Sequence, residues 1–338
     1  MKEKLKDAIY GLAVGDALGV PFEFQNRGEF KCFDMVGYGT HNQPEGTWSD
    51  DTSMTLATCM SIKNKGYVDL TDIRNQFEKW LLNNEYTPFN EVFDCGNTCY
   101  CAIKDKCGQT DEWSNGNGSL MRIIPLAFVK EISDKTIEDI SAITHAHNIS
   151  KDICVKYIHI AKDLLGAMNL KDAIKKETSN EFFDELLKCN EDNIISGSFV
   201  VDSFKASLWC LLKTDNYKDC VLKAVNLGHD TDTTAAIAGG LAGIIYGYDS
   251  IPKDWINDIY KKEIINMYLF NGGSMKKFYI RRKTDQRYGL IKRWCFTGER
   301  YIQYVENVNE ARIFDDKLFN MVLKEHVIDE NEIEKIYI

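Results

Sequence analysis

Proline is scarce in this chain, with five in 338 residues against 23 glycines. That excludes proline-rich spacers and favours uninterrupted helices. Positive charge is in deficit too, at a formal net charge of −10, which excludes a surface built as a whole to hold nucleic acid. No apolar run is both long and free of charge, so no membrane span is expected. Met1-Lys2-Glu3-Lys4 leads straight into a helical pattern, so no signal peptide is expected either. Cysteine is not lacking: there are eleven, an odd number. Cys95, Cys99, Cys101 and Cys107 crowd together, yet match no paired zinc spacing and have no flanking histidine. Free thiols in that number imply a reducing, cytoplasmic compartment. A composition 44% hydrophobic fills one large domain, or one domain with an appendage.

The most informative stretch is residues 226–243. Asp230, Asp232 and Thr233 place two carboxylates and a hydroxyl within four positions, the oxygen donors that Mg²⁺ prefers. A run of small and apolar residues follows, with Gly239, Gly240 and Gly243, which predicts a buried helix in close approach to its neighbours. Capping is the plain alternative for Asp and Thr before an apolar run. A second cluster tips the balance: Ser49, Asp50 and Asp51 also precede an amphipathic pattern. Two acidic clusters converge only with cations between them, and paired metals bridged by carboxylates are a catalytic arrangement.

The first 20 residues read as a helix with the apolar face Leu5, Ala8, Ile9, Leu12 and Ala13. Asp16 sits in its small-residue face, and Pro21 ends it. Glu23 lies between Phe22 and Phe24. An apolar pocket there would raise its pKa as acid–base work requires; a surface carboxylate is the alternative. Residues 28–47, rich in glycine, read as a loop able to act as a lid. Helices are predicted over 51–65, 70–83, 96–107 and 153–168, with a loop leading into a helix over 194–212, and residues 217–226 lead into the acidic stretch above. The glycines of Asn115-Gly116-Asn117-Gly118-Ser119-Leu120-Met121-Arg122 free backbone N–H groups to cradle phosphate at the start of the next helix, with Arg122 adding charge; a plain turn is the alternative. His145 and His147, two apart, do not share a helix face. One suits a ligand and the other a cap.

The character changes after about residue 268. Asn271-Gly272-Gly273-Ser274 reads as a linker, and residues 277–282, 288–296 and 301–305 as strands, with a short helix near 315–326. Domains are therefore expected at 1–268 and 275–338. Basic residues interleave with aromatics here, among them Arg281, Arg282, Lys283 and Arg287. Such a patch can bind nucleic acid; a small sheet docked on the acidic main domain by charge complementarity is the simpler reading.

Four motifs in order resemble the ADP-ribosylglycohydrolase family: Gly15-Asp16-Ala17-Leu18-Gly19-Val20-Pro21-Phe22-Glu23, Ser49-Asp50-Asp51-Thr52, Asn117-Gly118-Ser119-Leu120-Met121-Arg122, and Gly228-His229-Asp230-Thr231-Asp232-Thr233. Thr144-His145 and Gly197 with Val200-Val201-Asp202 also resemble family positions. The resemblance implies an all-α orthogonal multi-helix fold around two Mg²⁺ ions, with Mn²⁺ as a substitute, and a small C-terminal α+β or antiparallel β appendage outside it. It implies Ser49, Asp50, Asp51, Asp230, Asp232 and Thr233 as metal ligands. Glu23 would be the acidic residue near the scissile bond, with Asp51 and Asp230 sharing the catalysis. Asn117, Gly118, Ser119, Met121, His145, Gly197, Ser198 and Phe199 would hold diphosphate and adenosine. His229 departs from the pattern, standing where many relatives have glycine. The expected activity is hydrolysis of the bond between ADP-ribose and an acceptor, arginine foremost, on an ADP-ribosylated protein or other conjugate. A metal phosphohydrolase of nucleotide diphosphates and an inactive ADP-ribose-binding relative are the rivals.

Overall fold

The structure, a computed structural model, describes residues 2–270, 278–293, 300–305, 313–314 and 333–337. These fall into two compact units, one within Met1–Asn64 and Val68–Gly272, the other within Lys65–Tyr67 and Gly273–Ile338.

The first unit is helical. In chain order it contains α1 (Lys2–Gly19), α2 (Asp50–Lys65), α3 (Leu70–Asn83), α4 (Asn97–Lys104), α5 (Asp134–Ser141), α6 (Asn148–Leu165), α7 (Leu170–Glu177), α8 (Asn180–Lys188), α9 (Val200–Leu212), α10 (Tyr217–Val225), α11 (Thr231–Tyr246), α12 (Lys253–Asp258) and α13 (Lys262–Tyr268). Local chemistry starts several of them. The side chains of Asp69, Ser133, Asn169, Ser179 and Asn216 each accept an N–H from the first turn that follows, as good N-caps do. The short helices α5, α7, α8, α12 and α13 were not expected from hydrophobic period. They are six to nine residues long, which leaves little room for a period to show.

The unit is built around α1 and α11, which run antiparallel in backbone contact. A Cβ at Gly11 would sit inside the backbone of Gly239, one at Gly15 inside Ala235, and one at Gly19 inside Asp232. Only glycine allows that approach. Residues Thr231 to Ile244 are all buried, so α11 is a core helix on every face. Two hydroxyls tie into the pair: Tyr217 donates to the Gly11 carbonyl at 2.6 Å and Tyr157 to that of Ile237 at 2.9 Å. The C-terminal end of α1 thereby meets the N-terminal end of α11.

The second unit holds an antiparallel sheet of β1 (Phe278–Arg282), β2 (Tyr288–Arg293), β3 (Arg300–Val305), β4 (Ile313–Phe314) and β5 (Ile333–Tyr337). Its order is β3-β2-β1-β4, and β5 also pairs with β1. Three strands were anticipated; β4 and β5 were not. The expected linker at 271–274 and the helix near 315–326 lie outside the described residues. Within the β1–β2 hairpin Arg282 and Arg287 both pair with Asp285, which offsets one of their two charges.

Candidate active site

Where α1, α2 and α11 converge, five acidic side chains gather: Asp16, Glu23, Asp51 and Asp232, all buried, and Asp94, half-buried. Asp16, Asp51 and Asp232 bring carboxylate oxygens within 4.8 Å of one another, and so do Glu23, Asp94 and Asp232, with a ring nitrogen of His41 in the same group. Asp232 belongs to both groups. Its place follows from the glycine ridge, because Gly19 touches the backbone of Asp232 itself. Asp51 joins the two sequence clusters: its Oδ2 accepts from the Ser49 hydroxyl at 3.0 Å and from the Thr233 hydroxyl at 3.2 Å. Asp16, on α1, caps α2 from outside. It accepts the Ser49 N–H, the Thr52 N–H and the Thr52 hydroxyl, the last at 2.6 Å.

Capping does not account for the rest. The Asp230 side chain makes no cap hydrogen bond to α11. Three buried carboxylate oxygens, Asp51 Oδ1, Asp230 Oδ1 and Asp232 Oδ2, have no hydrogen-bond partner. A buried unpaired carboxylate oxygen costs free energy, and like charges at this range cost more. The pKa values register both costs. Burial, followed by neighbouring carboxylates, lifts Asp50, Asp51 and Asp232 well above the usual range. Burial lifts Asp16 to about 6 and Glu23 to about 7. Hard oxygen donors, surplus negative charge and unpaired lone pairs together fit a divalent cation.

Glu23 hydrogen-bonds His41 Nε2, which raises the His41 pKa. Asp50 and Asp94 line one small cavity with Trp48, Trp80 and Phe93. Neither His41 nor Asp94 was singled out from sequence. His41 sat in the glycine-rich loop read as a lid, and Asp94 in an unpatterned stretch. Asp16 did leave a signal, a carboxylate inside an otherwise small and apolar helix face.

A second region adjoins the acidic one. Asn117 begins a single 3₁₀ turn, Asn117–Ser119, so the phosphate loop precedes no α-helix as anticipated. Its segment is laced to the one before α9: the Asn117 N–H donates to Ser198 O and the Val200 N–H to Asn115 O, both at 2.9 Å. The Asn117 amide donates one hydrogen to Ser203 Oγ and the other to Asp230 Oδ2, each at 2.9 Å. Ser203 in turn donates to Gly197 O. Ser119 and Met121 are buried, with Ser119 bonded to Ser141. Ser198 and Phe199 are exposed. A Cβ on Gly118 would lie 2.8 Å from Cys99 Sγ and 2.9 Å from the His145 ring, so close packing requires glycine there. His145 is buried and bonded to the Thr144 hydroxyl at 2.8 Å. Burial, helped by Arg122, holds its pKa near 3, so its ring is neutral. Arg122 turns inward, 4.4 Å from the Phe77 ring centroid and donating to Thr144 Oγ1. It is a core cation rather than the phosphate contact expected. His147 caps α6, accepting the Ile149 N–H.

His229 is exposed and left-handed, at φ 62°. It is bound reciprocally to the Glu23 segment: Phe24 N–H donates to His229 O at 2.7 Å and His229 N–H to Gln25 O at 2.8 Å. This small ladder holds Glu23 and Asp230 side by side. Ser196 O accepts the Asp230 N–H at 3.0 Å, fixing the other flank.

The family pattern described as ADP-ribosylglycohydrolase matches residues 1–283. The ADP-ribosylarginine hydrolase Tri1 of Serratia proteamaculans (strain 568) is 32% identical over 282 residues, covering 78% of this chain and 77% of that one. The ADP-ribosyl-[dinitrogen reductase] glycohydrolase of Rhodospirillum rubrum is 33% identical over 273 residues, covering 75% and 88%. A solved structure described as "ADP-ribosylglycohydrolase-related protein complex" superposes with a TM-score of 0.67 at 25% identity, covering 79% of this chain and 95% of the other. A multi-helix fold, convergent acidic clusters and these likenesses agree: the chain belongs to the ADP-ribosylglycohydrolase family.

Proposed function

We propose that this enzyme hydrolyses the N-glycosidic bond joining C1″ of ADP-ribose to the guanidinium of arginine, with two Mg²⁺ ions as its cofactor. The observation that carries the reading is the set of three buried, unpartnered carboxylate oxygens on Asp51, Asp230 and Asp232. The names of the Serratia and Pseudomonas putida relatives, both ADP-ribosylarginine hydrolases, support the acceptor. Ser49, Asp50, Asp51, Asp230, Asp232 and Thr233 would hold the ions. Bound there, divalent cations would offset part of the carboxylates' charge, leaving a negative surplus, and would supply a grip for the hydroxyls of the distal ribose.

The remaining work falls to side chains. Guanidinium already carries its proton, so the leaving group needs no acid at bond breaking. Glu23 therefore acts as the base. It takes a proton from the water that attacks C1″. The C1″–N bond breaks with its electron pair going to nitrogen, and the proton held by Glu23 returns to the departing guanidine. The carboxylates of Asp51 and Asp230 favour the positive charge that grows at the anomeric carbon. The laced segments 115–121 and 197–199, with neutral His145 behind them, form the side where diphosphate and adenosine lie.

The test is a panel of ADP-ribosylated peptides, linked through arginine or serine, incubated with and without Mg²⁺. Free ADP-ribose from the arginine peptide, only with metal, is the expected product. AMP, with ribose phosphate left on the peptide, would assign the chain to diphosphate cleavage instead.

A further inference from the structure

We propose that Phe24 determines acceptor specificity: its ring is the face against which the planar cation of the acceptor lies. This rests on the arginine reading above and adds the residue that recognises the guanidinium.

Three observations point to it. The first is conformation. Phe24 is left-handed at φ 65°, a region that a bulky residue occupies at a cost. Glycine would sit there freely. The second is rigidity. Around it the backbone is tied by Phe24 N–H to His229 O, by His229 N–H to Gln25 O, and by the Thr40 hydroxyl to Glu23 O at 2.7 Å. The turn is therefore fixed, yet the ring it carries is 68% exposed. A large apolar ring carried into solvent on a tied backbone, next in sequence to Glu23, is open to a ligand.

The third is what surrounds it. The Phe24 ring centroid lies 5.9 Å from that of His41, which lies 5.4 Å from that of Phe93. These rings stand next to Glu23 and Asp94, which share a cluster with Asp232. Asp230, by contrast, touches Asn117. The site thus has a direction: the Asn117 segment at one end, the carboxylates in the middle, and the Phe24–His41–Phe93 rim at the other. A substrate with its diphosphate by Asn117 and its C1″ by Glu23 brings its acceptor out at that rim. The faces of Phe24 and Phe93, next to carboxylates, attract a flat, delocalised, weakly hydrated cation, and guanidinium is the protein side chain that keeps this form at every physiological pH. A hydroxyl-linked acceptor such as serine gains nothing from the ring.

The experiment compares wild type, Phe24→Leu, Phe24→Gly and Phe24→Tyr, as full-length protein with Mg²⁺. Substrates are an arginine-linked and a serine-linked ADP-ribosyl peptide. Phe24→Gly suits the left-handed backbone, so it also guards against misfolding. Leu and Gly should raise KM for the arginine peptide by about tenfold with little change in kcat, as loss of one cation–π face predicts. Tyr should restore KM, and calorimetric affinity for free ADP-ribose should not move in any variant. An unchanged KM in both Leu and Gly, or a matching loss of ADP-ribose affinity, overturns the assignment. If wild type itself releases nothing from the arginine peptide yet cleaves another linkage, the arginine reading falls and this inference with it.

Discussion

The two halves of the site are built on opposite principles. Around Asn117 and His145 the chain completes itself: the Asn117 amide spends both hydrogens on protein oxygens, His145 is neutral, and the 115–117 and 198–200 backbones bond each other. Around Asp51, Asp230 and Asp232 the chain is left incomplete, with buried oxygens unpaired and pKa values pushed upward. On the function proposed above, the first half receives the diphosphate and adenosine and the second takes the cations that offset its charge. The glycine-mediated contact of α1 with α11 holds that second half in place. Rigidity supplied by backbone contact lets the carboxylates stay where repulsion would otherwise drive them apart.

That contrast can be broken most severely at Asp232. Asp232→Ala should abolish Mg²⁺ binding by calorimetry and lower turnover by about a thousandfold or more, the scale on which electrostatic catalysis operates. The metal-free melting temperature should hold or rise, since a repulsive charge has gone; full activity in this variant would refute the metal reading. Next comes Glu23→Gln, with a loss of about 10²–10⁴ in kcat, as for removal of a general base. Without metal, burial holds Glu23 at about 7, and cations bound beside it favour its charged form, so wild-type kcat/KM should rise with pH through a value at or below about 7. The His41 hydrogen bond lowers that pKa, so His41→Ala should move the rise to higher pH; a shift downward would contradict the pairing.

Asn117→Ala probes the seam between the halves. It removes the donor that orients Asp230, and outer-sphere partners of this type change metal affinity by about 10–100-fold. Removing metal gives the fourth test. Asp16 and Glu23 have folded-state pKa values of about 6 and about 7, above their ordinary 3.8 and 4.5. The folded state therefore binds more protons than the unfolded state between those limits, and stability falls as pH rises through that window. Melting of the metal-free protein should show this decline, and Mg²⁺ should offset it more at pH 8 than at pH 5. The smallest effect belongs to the self-complete half. Gly118→Ala should cost about 1–3 kcal/mol of stability, the usual range for overpacking, with metal affinity unchanged; calorimetric melting and Mg²⁺ titration of one sample decide it.

Particular residues show how much could be read in advance. Asp230, Asp232 and Asp51 stand out because two distant segments each set paired carboxylates before an apolar run; one such cluster alone reads as well as helix capping. The boundaries of α1, α2 and α3 follow from apolar period and small-residue runs, and the structure moves them by a residue or so; for α11 the small-residue run shows a buried helix but not where it ends, which is Tyr246. Asp94 and His41 stayed hidden, since a lone acid in an irregular stretch and a histidine in a loop look like countless surface residues. Arg122 misled for a related reason: a cation after a glycine-rich loop suggests phosphate, but only packing reveals that its guanidinium lies on Phe77 beneath the loop.

Residue type and spacing alone determined that this is a helical chain with an oxygen-rich, twice-repeated acidic motif and a central helix of small residues, because composition and period are local quantities. Tertiary structure alone decided which carboxylates meet, which are capped and which stay unpaired. Asp16 and Asp51 are both acids ahead of or within helices, yet Asp16 caps α2 while Asp51 keeps a bare oxygen. That difference arises from how closely two glycine-lined helices approach, a distance no single segment encodes.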